Sequence, residues 1–177
     1  MRSLHPVHHK LKACPIFRDF DDDELAALLE LAEPSVYAPG QCIVRQGEAG
    51  SAMYLIADGI ANVVLHSEDK SDLRLSTLKA GDFFGELALV DHEPRSADVV
   101  VVEECTAMKI TMNLLQMFSA ESPGAAFKLT MAVLEVVGRR LRASNRRYLD
   151  CLTIVSALAH EGTIMLPENE HSMDVLV

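Results

Sequence analysis

The sequence predicts a mainly β protein with flanking helices (α+β): an antiparallel sandwich or barrel preceded by one helix and followed by a long one. Three observations predict this. Seven short β-rich runs separated by glycine-bearing turns fill residues 35–110, and closely spaced short strands with such punctuation build antiparallel sheets rather than alternating β/α units. Leucines at helical spacing follow an acidic cap just before them. After Ile110, apolar residues recur at helical steps through to Ala159.

Residues 1–20 form an N-terminal segment with three early histidines, His5, His8 and His9. No Cys or carboxylate neighbours them, so a solvated or docked terminus is expected instead of a metal site. Asp21 to Glu33 reads as a helix. Asp21 or Asp22 can cap it, and acidic residues in its first turn suit the positive end of its dipole. Leu25, Leu28, Leu29 and Ala32 make one apolar face, and Pro34 stops the helix.

The β-rich runs are SVY, QCIVRQ, AMYLIA, IANVVLH, LRLSTL, ADVVVV and CTAMKI. Between them lie Pro39-Gly40, Gly47-Glu48-Ala49-Gly50, Asp58-Gly59 and Gly81-Asp82. Asp58-Gly59 reads as a two-residue hairpin, because both central positions of that turn favour positive φ. Asn113 to Ser119 predicts a short helix. Ser122-Pro123 supplies a cap and first-turn pair for a long helix ending near Ala159. From residue 161 a polar segment with Gly162 and Pro167 is expected to be a mobile tail.

The 177 residues suffice for one domain with a full core, and 49% apolar with 24% charged residues suits a globular protein. A net charge of −10 argues against non-specific nucleic-acid binding and acidic lipid surfaces. No stretch reaches membrane-span length, and the start lacks a signal-peptide core. Cys14, Cys42, Cys105 and Cys151 are scattered singly, which reads as reduced thiols and excludes a zinc knuckle. Together these features predict the cytoplasm.

The run Phe83–Val99 carries chemistry. Glu86 can accept hydrogen bonds from sugar hydroxyls, and Arg95, nine residues on, can grip a phosphate with two N–H groups. Gly85 allows close approach of backbone to a ligand. A short helix starting near Glu86 would aim amides at an anion. Pro94 holds Glu93 extended, and Ser96 can donate its hydroxyl. The alternative is a surface ion pair between Glu86 and Arg95, worth about 0–1 kcal/mol.

This run resembles the phosphate-binding cassette of cyclic nucleotide-binding domains, whose pattern is roughly F-G-E-[LI]-A-L, a short gap, then P-R-[TSA]-A-x-V. The chain carries Phe84-Gly85-Glu86-Leu87-Ala88-Leu89 and then Pro94-Arg95-Ser96-Ala97-Asp98-Val99, with agreeing gap lengths. Pro15-Ile16-Phe17, Gly40, Gly47, Gly50, Tyr54-Leu55-Ile56, Gly59 and Gly81-Asp82-Phe83 extend the likeness over roughly residues 14–145. The resemblance implies a β-roll or jelly-roll sandwich over 21–122 and a lid or dimerisation helix over 123–160. It implies a ligand, cyclic AMP or cyclic GMP, bound by Phe84, Gly85, Glu86, Leu87, Ala88, Arg95, Ser96 and Ala97. The alcohol at Ser96 favours cyclic AMP, by similarity to the bacterial cyclic-AMP-responsive activators. The protein kinase A regulatory subunits are similar too.

Phe127, Met131, Leu134, Gly138, Leu141, Asn145, Tyr148, Leu152, Val155 and Ala159 recur in alternating steps of four and three, a heptad seam. A parallel homodimer is expected through it, with Asn145 fixing register; a broad face packed on the chain's own barrel is the alternative. In the activators this helix closes the ligand site. That resemblance implies that Arg140 reaches toward the ligand and that Ser144 and Asn145 meet the purine edge. Arg139, Arg140, Arg142, Arg146 and Arg147 form a basic patch, read as a solvated face opposite acidic groups such as Asp21–Glu24 rather than a nucleic-acid surface.

Three readings compete. The first is a cyclic-nucleotide sensor that signals by moving its C-terminal helices onto the base, with Leu87 repacking against the helix at 112–120. The second is a degenerate domain of the same fold used only for dimerisation or partner docking. The third, an enzyme on a small jelly roll such as a metal-dependent cupin, needs clustered ligands, whereas His66 and His92 stand alone in sequence. No kinase signature or membrane span is present. Roughly 20 residues after the long helix are too few for the helix-turn-helix domain of the activators, so a stand-alone sensor or one module of a larger system is expected, with its effector unidentified.

Overall fold

The computed structural model describes residues 7–67, 72–91 and 93–160, and of Ala159 and His160 the backbone only. His5, His92 and the tail from 161 lie outside them. The chain divides into two compact units, Met1–Val133 and Leu134–Val177. The elements run α1 (His8–Lys12), a 3-10 turn (Pro15–Phe17), α2 (Asp22–Leu31), β1 (Pro34–Tyr37), β2 (Cys42–Val44), β3 (Ala52–His66), β4 (Asp72–Lys79), β5 (Phe83–Phe84), a second 3-10 turn (Leu87–Leu89), β6 (Asp98–Thr111), α3 (Met112–Glu121) and α4 (Pro123–His160). This is the antiparallel sheet with flanking helices and long final helix that the sequence predicts.

In α2, Asp21 is the cap. Its side chain accepts from the Glu24 amide at 2.8 Å, and the Glu24 carboxylate accepts from the Asp21 amide at 2.8 Å. The pair satisfies two amides that the first helical turn leaves without partners. The predicted face, Leu25, Leu28, Leu29 and Ala32, is buried throughout. It packs in a helical cluster where Phe17 meets Phe20 edge-on, centroids 5.1 Å apart, and Phe20 stacks on Phe118 at 6.5 Å.

The sheet orders its strands β1-β6-β3-β4, with β2 also on β6 and β5 also on β3, and every pairing is antiparallel. Its core gathers Val44, Ile56, Ala61, Leu78, Phe84, Val99, Val101, Cys105 and Ala107, flanked by Tyr37, Ile43, Tyr54 and Val63.

Two expected boundaries are absent. AMYLIA and IANVVLH are one strand, β3, and ADVVVV and CTAMKI are one strand, β6. Asp58-Gly59 makes no hairpin. The β3–β6 register shifts between Ile56 and Asp58, between Asp58 and Ile60, and between Ile60 and Ala61. Gly59 has φ +86°, and a Cβ there would collide with the Glu104 carbonyl. One class of bulge also uses a glycine at positive φ, but it bends a paired strand instead of reversing it. Dipeptide composition does not distinguish the two outcomes; pairing with β6 across the bend does.

The long helix begins with Pro123 at its first position and ends at His160. In its first turns Lys128 Nζ donates to both Glu24 carboxylate oxygens, at 2.7 and 2.8 Å. The partners of the acidic run 21–24 include Lys128 and, for Asp22, Lys12 at 3.0 Å. In the second unit every residue from Leu141 to Ile154 is exposed. Among the described residues, no helix is long and apolar enough to cross a membrane. All four cysteines are free, and burial pushes the Cys14, Cys42 and Cys105 thiols up.

Candidate ligand-binding site

The cassette is assembled by strand pairing. β5 lies on β3, with Tyr54 opposite Phe84 and Leu55 opposite Phe83, and the Tyr54 and Phe84 rings stack 5.2 Å apart. Just beyond, Gly85 turns the chain at φ +73°, a conformation that L side chains rarely adopt. The expected short helix is a single 3-10 turn, Leu87–Leu89, with Glu86 at its N-cap. The first amides of such a turn have no acceptor within it. Glu86 is half-buried, Ala88 is buried, and Leu87 is 57% exposed.

Arg95 arrives from the other side. Its amide donates to the Glu48 carbonyl at 2.8 Å, and the Gly47 amide donates to its carbonyl at 2.8 Å. Ala49 and Pro94 form an antiparallel bridge beside them. The turn at 46–50 therefore carries the backbone of Arg95. Ser96 is exposed and Ala97 buried.

The Arg95 side chain is 9% exposed. Nη1 donates to the Gly85 carbonyl at 3.1 Å and Nη2 to the Ala52 carbonyl at 2.7 Å. The guanidinium carbon sits 5.9 Å from the centre of the Tyr54 ring. A Cβ on Gly50 would come within 2.8 Å of both the guanidinium carbon and Ala88 Cβ, and one on Gly85 would collide with Nη1. Two missing side chains thus make the cradle. Both hydrogen bonds end on carbonyl dipoles and neither on a carboxylate, so they do not neutralise the guanidinium, which remains free to pair with an anion.

The sequence-predicted residues Phe84, Gly85, Glu86, Leu87, Ala88, Arg95, Ser96 and Ala97 thus lie in one segment folded around one arginine. Arg140, Ser144 and Asn145 belong to the second unit, on α4, where Arg140 is half-buried and Ser144 and Asn145 are exposed. Sequence reasoning missed the Ala52 carbonyl, 43 positions away from Arg95, because a backbone acceptor has no sequence signature. It also read His66 as solitary, whereas its ring lies between Asp72 and Asp98. Among the described residues, no group of three or more His, Cys, Asp or Glu could hold a metal ion.

The model of the family described as "Cyclic nucleotide-binding domain" matches residues 34–122. The CRP-like cAMP-activated global transcriptional regulator of Mycobacterium tuberculosis is 26% identical over 137 residues, covering 77% of this chain and 59% of the relative. The chain thus spans under two thirds of that regulator's length. The cGMP-dependent protein kinase, isozyme 1, of Drosophila melanogaster is 32% identical over 103 residues, 55% of this chain and 13% of the kinase. The catabolite activator protein of Thermus thermophilus superposes with a TM-score of 0.70 at 27% identity, covering 78% of this chain and 63% of that one. With the family model spanning half the chain and the cassette geometry agreeing, this chain belongs to the cyclic nucleotide-binding domain family.

Proposed function

We propose that this chain is a cyclic-nucleotide sensor, a regulatory module that prefers cyclic AMP to cyclic GMP and signals through its C-terminal helix. The observation that carries the reading is Arg95: a buried guanidinium in a glycine cradle whose side-chain hydrogen bonds end on carbonyls. A cyclic phosphate supplies the missing anion. Arg95 grips it, assisted by the Leu87 and Ala88 amides at the start of the 87–89 turn and by the Ser96 hydroxyl. Glu86 accepts from the ribose hydroxyl. Phe84, Gly85, Leu87, Ala88 and Ala97 form the walls of the site.

The module binds and releases its ligand without making or breaking a covalent bond, so it is read as a regulator and not an enzyme. Relatives named for cyclic AMP and for cyclic GMP both match the chain. The preference for cyclic AMP rests on the Ser96 alcohol. In the bound state the α4 helix moves over the base, with Arg140, Ser144 and Asn145 meeting the purine. Ligand can drive this movement only by its differential affinity for the two states. Two copies pair along the α4 seam. The cytoplasm, where the thiols stay reduced, is the proposed location.

Thermal-shift and calorimetric titrations with cyclic AMP and cyclic GMP test the reading. Binding to the native state alone raises stability by about 2.7 kcal/mol at a hundredfold excess over Kd. A higher melting temperature with either nucleotide supports the sensor. No shift with saturating amounts of both favours a degenerate domain that serves only dimerisation or docking.

A further inference from the structure

Three residues beyond Arg95, Asp98 opens β6 and is itself buried. Its Oδ1 accepts from the Gln46 amide at 2.7 Å. Gln46 begins the turn whose Gly47 and Glu48 hold the Arg95 backbone on both sides. Asp98 Oδ2 lies 3.1 Å from His66 Nε2, at the end of β3. Gln46 and His66 are tied a second time: the His66 amide donates to Gln46 Oε1 at 2.9 Å, and Gln46 Nε2 donates to the His66 carbonyl at 3.3 Å. One carboxylate thus ties the start of β6 and the end of β3 to the turn that carries Arg95.

The other ring nitrogen of His66, Nδ1, lies 2.7 Å from Asp72 Oδ1. A neutral imidazole has one donor and one acceptor. Two carboxylates on its two nitrogens can both be satisfied only by the doubly protonated ring. The groups facing that ring among the described residues are Asp72 from β4 and Asp98 from β6. From the β2 side, the Cys42 thiol reaches Asp98 at 3.6 Å, Arg45 acts on that thiol at longer range, and the turn presents the neutral Gln46 amide.

We propose that Asp98, with His66, is the positioning pair for Arg95, and that nucleotide affinity falls as the imidazole loses its proton. This rests on the sensor reading above. Asp72 and then Asp98, by hydrogen bonds, hold the imidazole above its ordinary range. Burial pushes Asp98 up, but the bonds from Gln46, His66 and Cys42 outweigh it and keep the carboxyl below its ordinary value. A folded-state value raised above the unfolded one contributes fully at acid pH and is lost as pH climbs through the folded value. Once the ring is neutral, one carboxylate must leave it. The charge opposite Asp98 is then gone, and the Gln46 turn is less often in its binding-competent arrangement.

The test is calorimetry with cyclic AMP from about pH 6 to pH 9, a range that starts near the ordinary imidazole value and runs well above it. Wild type should weaken by about three- to tenfold across it. Asp98→Ala should bind about tenfold more weakly at the acid end, with a flat profile. Asp98→Asn keeps an oxygen for the Gln46 amide, so it should recover most of the affinity yet stay flat. His66→Gln should also be flat. Circular dichroism checks folding, and if Asp98→Ala does not fold, the other two variants decide. A wild-type affinity independent of pH, or a His66→Gln profile matching wild type, overturns the positioning pair while leaving the sensor intact. No binding by wild type at any pH overturns the sensor reading and the pair with it.

Discussion

Arg95 Nη1 donates to the Gly85 carbonyl at 3.1 Å, from the side of Gly85 where any other residue would carry its Cβ. The glycine therefore does two things at once. It permits the left-handed turn out of β5, and it leaves the guanidinium room to lie against the backbone.

Replacing it tests both roles. Gly85→Ala should lose roughly 1–3 kcal/mol of stability through strain at φ +73°. It should also weaken cyclic-nucleotide binding by about tenfold or more, because the guanidinium is displaced from its cradle. Urea denaturation and calorimetry on the same variant separate the two losses.

Removing the arginine addresses the ligand directly. Arg95→Ala should weaken binding by roughly 2–5 kcal/mol, the scale for truncating one partner of a buried charge pair. Arg95→Lys should fall between Ala and wild type, since it restores charge but not the fork that reaches both carbonyls and a phosphate. Equal nucleotide affinity in Arg95→Ala and wild type would refute the assignment.

The β3 bulge is open to the same logic without ligand. Gly59→Ala combines strain at φ +86° with a Cβ aimed at the backbone carbonyl of Glu104, so neither partner can yield cheaply. A loss of roughly 2–4 kcal/mol is expected in chemical denaturation. A variant as stable as wild type would mean that the bend is not glycine-dependent.

Glu24 is shared between the α2 cap and Lys128. Glu24→Ala removes a capping interaction and an ion pair together and should cost about 1–2 kcal/mol. Lys128→Ala removes only the pair, which is partly exposed, and should cost under about 1 kcal/mol. Thermal melts of both variants and of their double mutant give the coupling.

In the second unit the heptad positions Leu134, Leu141, Asn145, Tyr148 and Leu152 are exposed, Leu134 and Leu141 each by 60%. If two copies pair along this seam, wild type sediments as a dimer and Leu141→Asp as a folded monomer. A wild type that stays monomeric as its concentration is raised would leave the apolar stripe to another partner.

Much of this molecule is legible in its local sequence. Leucine spacing and the Asp21–Glu24 box define α2, because caps and amphipathic faces act within a few residues. Gly85, Glu86, Arg95 and their gap lengths mark the cassette for the same reason: close approach, an acceptor and a fork are properties of single side chains. Tertiary structure decided what distant segments do to one another. Whether Asp58-Gly59 reverses or merely bends a strand depends on β6 lying alongside it. The Ala52 carbonyl beneath Arg95, and Asp98 and Asp72 on either side of His66, are hydrogen-bonded contacts across the fold. Hydrogen-bond partners 6 to 43 residues apart meet only after the sheet has set its register, and no residue's own chemistry announces them.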